Sequence, residues 1–200
     1  MARETASRDE RGGLAGLGTL PVACTVVTAI NALYILLVAI GNITDFDTNF
    51  EFVKHVLAMD TTNFGAPAGE GLDPQVMWRA IANPGVHLIA YLLLIVWESL
   101  TAIVLLAATA RWLGARTSRS FDTPRRLSTV GFLMIVILFF GGFITIGGEW
   151  FQMWRSDAWN GLDPAFRNAT LALFGLVLVH LPSPQWREMA DPGAEGMLAR

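Results

Sequence analysis

Four long apolar segments divide the chain, and polar residues fill the connections between them. The segments cover residues 20–40, 85–110, 127–147 and 165–181, and prolines at 182 and 184 end the last one. The hydrocarbon core of a bilayer, about 30 Å thick, is crossed by about 20 apolar residues of helix. Each segment therefore predicts a transmembrane helix, although the fourth approaches that length only if Ala165, Phe166 and Arg167 begin it.

The predicted fold class is all-α. It is a four-transmembrane-helix bundle over residues 20–182, between a charged arm at 1–19 and a tail at 183–200. The first apolar segment is longer than the core of a secretory signal, and no clean small-residue cleavage site follows it. We therefore expect this segment to be retained as a membrane helix.

Composition supports a membrane protein and excludes several other classes. Of the 200 residues, 53% are hydrophobic and 16% are charged, whereas soluble domains average about 45–50% and about 25%. The formal net charge of -3 argues against nucleic acid as a partner, because nucleic acid requires a concentrated basic surface. Cys24 is the only cysteine, which excludes an internal disulfide and a cysteine-rich metal site. We expect no metal and no cofactor.

Basic residues predict how the helices are oriented, since arginine and lysine collect in short cytoplasmic loops. The connection between the second and third segments is rich in arginine and contains a single acid, Asp122. Its arginines are Arg111, Arg116, Arg119, Arg125 and Arg126. The connections at 41–84 and 148–164 are instead acidic. We expect the arginine-rich connection and both termini to be cytoplasmic, with the two acidic connections outside.

The first outer connection is too long to lack structure of its own. Apolar residues recur there at helical spacing, and Thr48 and Glu51 have the spacing of a capping box. The pattern predicts an amphipathic helix in this first outer (periplasmic) loop, from about Thr48 to Met59. A second short helix is predicted from Asp73 to Ala82.

Two short sequences occur twice. Met77-Trp78-Arg79 in the first outer connection recurs as Met153-Trp154-Arg155 in the second, and residues 71–74 and 161–164 both read Gly-Leu-Asp-Pro. The echo fits a duplicated hairpin of the kind found in some transporters. However, the two motifs appear in opposite order in the two halves, and so few residues match easily by chance.

The third segment is studded with glycines, at positions 131, 141, 142, 147 and 148. Small residues let helix backbones approach each other closely in a membrane. We therefore expect tight helix packing around this segment in preference to a substrate channel.

Glu98 is the most informative polar residue. Counted from Gly85 at 1.5 Å per residue, it lies about 20 Å into the second helix. A carboxylate at such depth is costly unless it is paired or protonated, so its side chain should face the bundle interior. Two interpretations stay open. Glu98 is a proton relay, ion site or subunit contact, or it is a neutral carboxyl group bonded to Ser99, Thr145 or a backbone carbonyl.

A second group of candidates lies near the outer ends of the helices. His55, His87 and Glu149 supply nitrogen and oxygen donors of the kind found in metal sites, and the group would also suit a quinone or a lipid headgroup. The alternative is that these side chains bond the outer loops to the bundle. The remaining candidates on this outer cap are Asp45, Asp47, Asp60, Trp78, Arg79, Trp150 and Trp154.

Several stretches carry a resemblance to a known family. Residues 49–62 read NFEFVKHVLAMDTT and residues 147–154 read GGEWFQMW, and Trp97-Glu98 accompanies them. Together they resemble a bacterial family of predicted small integral membrane proteins of unknown function, over roughly residues 20–182. The resemblance implies a four-helix protein of the bacterial inner membrane. It also implies that function lies in the outer loops, with His55, Glu98 and Glu149.

Three classes of function remain open. The leading hypothesis is a non-catalytic accessory or assembly subunit of a larger membrane complex, because no catalytic motif is present. The first alternative is a small proton- or ion-coupled transporter or channel that uses Glu98. The second is a metal- or quinone-binding redox protein. Expected partners are the lipid bilayer and either a membrane-protein subunit or further copies of the chain.

Overall fold

The computed structural model describes residues 17–118 and 120–186, with the backbone alone at 116–118. All regular elements in these residues are helical. They are α1 (Leu20–Thr44), α2 (Phe46–Ala58), α3 (Pro84–Ser118), α4 (Asp122–Val136), a π-helix (Ile137–Trp150) and α5 (Leu162–His180). Short 3-10 turns occupy Met77–Arg79, Met153–Arg155 and Pro184–Trp186. The predicted arm and tail fall almost wholly outside the described residues, as does Arg119.

Four helical spans are long and apolar enough to cross a bilayer. They are Leu20–Thr44, Pro84–Ala115, Asp122–Trp150 and Leu162–His180. The predicted four-helix integral membrane fold is therefore confirmed. Most helix ends lie beyond the apolar segments, because backbone hydrogen bonding continues past the last apolar side chain. α3 begins at Pro84. Proline is tolerated in the first turn of a helix, because the backbone amide that it lacks would have no acceptor within the helix there.

The four spans form a closed ring in which each helix runs antiparallel to the next. α1 packs against α3, α3 against α4, α4 and the π-helix against α5, and α5 returns to α1. Hydrogen bonds that fix this order join Asn42 to Glu98, Trp112 to Ser128, Arg125 to Val179, and Leu20 to Gln185. One end of the ring carries the cap, defined here as residues 45–83 and 151–161. The other is the arginine end, where α3 ends and α4 begins.

The second half of the third span is a π-helix, where the sequence pattern predicted an ordinary α-helix. Trp97 donates an indole hydrogen bond of 3.0 Å to the carbonyl of Met134, just before the transition. Within the π-helix, the hydroxyl of Thr145 donates to the carbonyl of Phe140, five residues earlier, at 2.9 Å. Apolar periodicity does not report which carbonyl an amide bonds, so the sequence carried no signal for this change. π-Helices are rare, and those that occur often lie at functional sites.

α2 confirms the amphipathic helix predicted in the first loop, but its start differs. The helix begins at Phe46, directly after Asp45, so Thr48 already lies inside it. The hydroxyl of Thr48 donates to Oδ1 of Asp45 at 2.9 Å, and Glu51 forms an ion pair of 2.8 Å with Lys54. The predicted capping box is therefore wrong, because both side chains bind partners other than backbone amides.

The second short helix predicted in this loop, Asp73–Ala82, is also wrong. Only the 3-10 turn Met77–Arg79 forms there. The carboxylate of Asp73 accepts the amide of Gln75 at 3.0 Å, and the amide of Ile81 donates to the carbonyl of Leu57 at 2.8 Å. In an α-helix the amide of Ile81 would donate to the carbonyl of Met77. Here the amide of Ala80 donates to that carbonyl and closes a 3-10 turn, while Ile81 binds α2.

An apolar layer crosses the middle of the bundle. Ile35, Leu105 and Phe132 belong to one core cluster and are 0% exposed. Gly131 allows this layer to close, because a Cβ atom added there would lie 2.5 Å from Cγ of Leu105. The close packing predicted from Gly131 is confirmed. Gly141 behaves differently, since an added Cβ atom there would meet nothing within 4 Å.

Candidate functional site

Glu98 lies in the bundle interior, with its side chain 2% exposed. Its Oε2 atom accepts a hydrogen bond of 2.7 Å from Nδ2 of Asn42, in α1. Thr145, one of the partners expected from the sequence, donates within its own helix instead. The described partner of the carboxyl group is therefore a side chain of the neighbouring helix.

Asn42 connects Glu98 to the surface of the cap. Its Oδ1 atom accepts a hydrogen bond of 2.6 Å from Nδ2 of Asn49, an exposed residue of α2. Its backbone carbonyl accepts a bond of 3.2 Å from the buried hydroxyl of Tyr91. We call Glu98, Asn42 and Asn49 the polar chain. It leads from a buried acid to an exposed amide in two hydrogen bonds.

The polar chain places Glu98 near the cap end of α1. Asn42 lies two residues before the end of that helix, about 3 Å along its axis. α3 begins beside α2, since the ring of Phe46 contacts Tyr91 at 4.7 Å. The expected depth of Glu98, about 20 Å, was counted along α3 from Gly85. The first part of that length packs against α2 in the cap, and only the later part packs against α1.

Sequence reasoning missed Asn42 and Asn49, although a signal for them exists. The two residues are seven positions apart, which is two helical turns, so they share one face despite the break at Asp45. An amide in the last turn of an apolar helix also needs a partner. Neither feature identifies Glu98 as that partner, because only the packing of α1 on α3 does so.

His87 is buried and bonds the cap to the bundle. Its side chain is 4% exposed, and Nε2 donates a hydrogen bond of 2.6 Å to the carbonyl of Ile81. Ile81 in turn donates its amide to Leu57 of α2. The arrangement corresponds to the structural interpretation of this histidine, in which it holds the loop against α3.

His55 joins the two connections of the cap. Its Nδ1 atom lies 2.8 Å from Oδ1 of Asp60, and its ring stacks on that of Trp159 at 4.8 Å. Its Nε2 atom lies 3.5 Å from Glu51, and the hydrogen bond from Lys54 holds the pKa of Glu51 below its usual range. His55 is thus surrounded by one indole ring and two acids.

The remaining acidic candidates are spread over the cap end. Asp45 separates α1 from α2, while Asp47 in α2 and Glu149 in the last turn of the π-helix are exposed. Over residues 17–118 and 120–186, no three His, Cys, Asp or Glu side chains are grouped as a metal ion would require. The structure therefore does not bring His55, His87 and Glu149 into one metal site.

The guanidinium group of Arg79 packs against two indole rings. Its guanidinium carbon is 5.4 Å from the ring centre of Trp78 and 5.1 Å from that of Trp150. Nη1 donates a hydrogen bond of 3.3 Å to the backbone carbonyl of Trp150. The two rings also meet edge to face at 5.5 Å. This contact joins the 3-10 turn of the first connection to the end of the π-helix.

Arg155 holds the corresponding position in the second connection. Its guanidinium carbon is 5.1 Å from the ring centre of Trp154 and 5.8 Å from that of Phe64. Nη1 forms an ion pair of 3.1 Å with Asp73. The Gln75 amide, and after it Arg155, hold the pKa of Asp73 below its usual range. Arg155 therefore ties the second connection to the first.

Comparison with known proteins identifies the family. The sequence profile of a family described as predicted small integral membrane proteins (DUF2165) matches residues 20–182. The chain belongs to this family. No curated protein and no solved structure matches the chain. The matched region of this DUF2165 member contains all four spans, the polar chain and both connections of the cap.

Membership establishes the coarse nature of the protein. DUF2165 is a family of unknown function, so the match supports a multi-pass integral membrane protein in contact with a lipid bilayer. It assigns no role to Glu98, to the histidines or to the residues of the cap. Their chemistry has to be argued from the geometry.

Proposed function

We propose that this protein binds a proton or a small cation at Glu98 and acts as a small proton- or cation-coupled membrane transport protein. The observation that carries the proposal is the polar chain. Glu98 is 2% exposed, yet two hydrogen bonds of 2.7 and 2.6 Å connect it through Asn42 to the exposed Asn49. An acid inside a membrane is costly to maintain and typically marks an ion pathway or a proton relay.

The side-chain amides of the polar chain suit a site at which the charge of Glu98 changes. Asn42 donates to Glu98 with Nδ2, and a carboxylate accepts such a bond as well as a neutral carboxyl group does. A sodium-sized cation would find further oxygens close by, at the side chain of Asn42 and at the carbonyl that accepts from Tyr91. Hard cations prefer such oxygen ligands.

The hydrogen bonds of the polar chain lead from Glu98 towards the cap. Towards the arginine end, the fully buried Ile35, Leu105 and Phe132 separate Glu98 from a second polar group. That group consists of Thr28, Ser128 and Trp112, joined by hydrogen bonds of 3.2 and 2.8 Å. A transport cycle would have to open this apolar layer.

Orientation and location follow from charge. Arg111, Arg125 and Arg126 lie at the arginine end, and the sequence of this connection also contains Arg116 and Arg119. Arginine in a short connection favours the cytoplasmic side. We infer that the protein resides in the bacterial inner membrane with both termini cytoplasmic, and that the cap faces the periplasm.

Reconstitution tests the role of Glu98. Purified protein in liposomes should acidify the lumen under an inward proton gradient, as read by an internal pH-sensitive dye, or should raise lumenal sodium under an inward sodium gradient, as read by a sodium-sensitive dye. Glu98→Gln should abolish the flux while the protein still assembles, because glutamine keeps the shape of the side chain but cannot ionise. Glu70→Gln, which neutralises an exposed acid in the cap, is the matched control and should leave flux unchanged. Flux that survives Glu98→Gln would remove the proposal.

A second candidate function, an accessory or assembly subunit, is favoured by one separate observation. Phe64 and Trp154 of the cap are 65% and 44% exposed, and their rings contact each other at 5.9 Å. Exposed aromatic pairs of this kind are frequent anchors in protein interfaces. Purification in mild detergent, followed by intact-mass measurement, tests this function. A stoichiometric partner lost in Phe64→Ser would support it, and a protein that purifies only as copies of itself would contradict it.

A further inference from the structure

The two Met-Trp-Arg sequences adopt the same local structure. Met77–Arg79 and Met153–Arg155 each form a 3-10 turn, followed by an extended residue. In each turn the guanidinium group packs over the tryptophan that precedes it and over one further aromatic ring. The repeated sequence therefore has a structural counterpart, with two similar arginine sites in the cap.

The two sites differ in charge balance. Arg155 forms an ion pair with Asp73 at 3.1 Å. For Arg79, no acidic side chain of the described residues comes within 4.0 Å. Its Nη1 atom reaches only a backbone carbonyl at 3.3 Å, and its buried Nε atom, like that of Arg155, has no acceptor among the described atoms. Arg79 is thus a half-buried cation that lacks the neutralising partner of its counterpart.

The surroundings of Arg79 combine exposed indoles with an apolar surface. Trp78 is 69% exposed and Trp150 is 46% exposed. Trp150 also lines a shallow and almost wholly apolar depression along the π-helix, together with Thr145, Ile146, Glu149 and Phe151. Amphipathic indole rings settle at the headgroup level of a bilayer. The arginine therefore lies where an apolar helix surface passes into a polar cap.

We propose that this site binds one phospholipid of the amine-bearing, zwitterionic class. The phosphate accepts hydrogen bonds from the guanidinium group of Arg79, which packs against the rings of Trp78 and Trp150. An acyl chain lies in the depression beside Trp150 and Ile146. Glu149, exposed on the rim of that depression, pairs with the ammonium group.

The chemistry of the groups supports this assignment. A planar guanidinium that packs against aromatic rings still has N–H groups along its edge, and these suit two oxygens of a phosphate. Glu149 would repel a purely anionic headgroup at the same place, but it attracts the amine of an ethanolamine headgroup. The proposal does not depend on Glu98, because none of its residues belongs to the polar chain.

Native mass spectrometry of the full-length protein tests the site. The protein is titrated with phosphatidylethanolamine or with phosphatidylglycerol and then released from detergent. It should retain one molecule of phosphatidylethanolamine, and retain it more strongly than phosphatidylglycerol. Arg79→Gln should weaken retention of phosphatidylethanolamine about tenfold, the effect of one lost charge-assisted contact. Arg167→Gln, which removes an exposed arginine of α5, is the matched control and should not change it.

A second variant tests the same site even if Arg79→Gln does not fold. Glu149→Gln alters an exposed side chain and should lower the preference for phosphatidylethanolamine over phosphatidylglycerol about two- to fivefold, as expected for an exposed ion pair. Equal lipid retention in the wild type and in folded Arg79→Gln would overturn the proposal. So would displacement of the lipid by an equal concentration of glycerophosphoethanolamine, which would assign the site to soluble phosphate esters.

Discussion

Gly131→Ala tests whether the apolar layer is as closely packed as the structure shows. The added Cβ atom would lie 2.5 Å from Cγ of Leu105, a fully buried side chain that belongs to the core cluster. Because Cγ is involved as well as a terminal methyl group, Leu105 cannot relieve the clash by moving its far end alone. It must change rotamer within a packed layer.

The magnitude follows from two opposing terms. Overpacking of a well-packed core costs about 1–3 kcal/mol. Replacing glycine by alanine inside a helix contributes about 0.5–1 kcal/mol in the favourable direction. The net loss in the free energy of unfolding should therefore be about 0.5–2 kcal/mol for Gly131→Ala. Gly41→Ala is the matched control, since Gly41 lies in α1 and an added Cβ atom there meets nothing within 4 Å. It should be neutral or stabilising.

Unfolding in mixed micelles, with rising mole fraction of dodecyl sulfate and helicity read by circular dichroism, measures both variants. Leu105→Ala supplies the decisive background, because it removes the atoms that the new methyl group would meet. In that background Gly131→Ala should become neutral or stabilising. If Gly131→Ala is as stable as Gly41→Ala, or if its cost is unchanged when Leu105 is shortened, the packing argument is refuted.

Two further predictions concern the cap and the orientation of the chain. The pKa of Asp73 is lowered in the folded protein, so its contribution to stability is present above the ordinary aspartate pKa of about 3.9 and is lost as pH falls through the folded value. The melting temperature should therefore fall more between about pH 5 and pH 3 in the wild type than in Asp73→Asn. An equal fall of the melting temperature in the two proteins would contradict this. A phosphatase reporter fused after Arg200 should be inactive, because the inferred orientation keeps that terminus cytoplasmic; an active fusion would reverse the orientation.

The hydrophobic pattern alone determined the class of the protein. Four apolar segments of sufficient length allow only membrane-spanning helices, since backbone groups in a bilayer must be satisfied within each helix. α2 was also predicted, because its apolar residues recur at helical spacing. The family resemblance, carried by residues 49–62 and 147–154, agreed with the profile match over residues 20–182.

Local patterns failed where contacts outside the predicted motif decided the structure. Thr48 and Glu51 have the spacing of a cap, but Asp45 and Lys54 engage them instead. Residues 73–82 are compatible with a helix, but the carbonyl of Leu57 binds the amide of Ile81. In both places, contacts that are invisible to local periodicity outweigh a weak helical preference.

Only the tertiary structure decided which polar and charged side chains meet. The sequence identified Glu98 as a buried acid, because charge in an apolar segment is costly, but it could not name Asn42 and Asn49 as partners. They come from α1 and α2, and the packing of these helices on α3 sets the distances. The packing of the chain also brings Arg155 into an ion pair with Asp73, whereas Arg79 forms no ion pair with an acid of the described residues. Sequence spacing fixes which residues share a helix face, whereas contact between helices depends on how the whole chain packs.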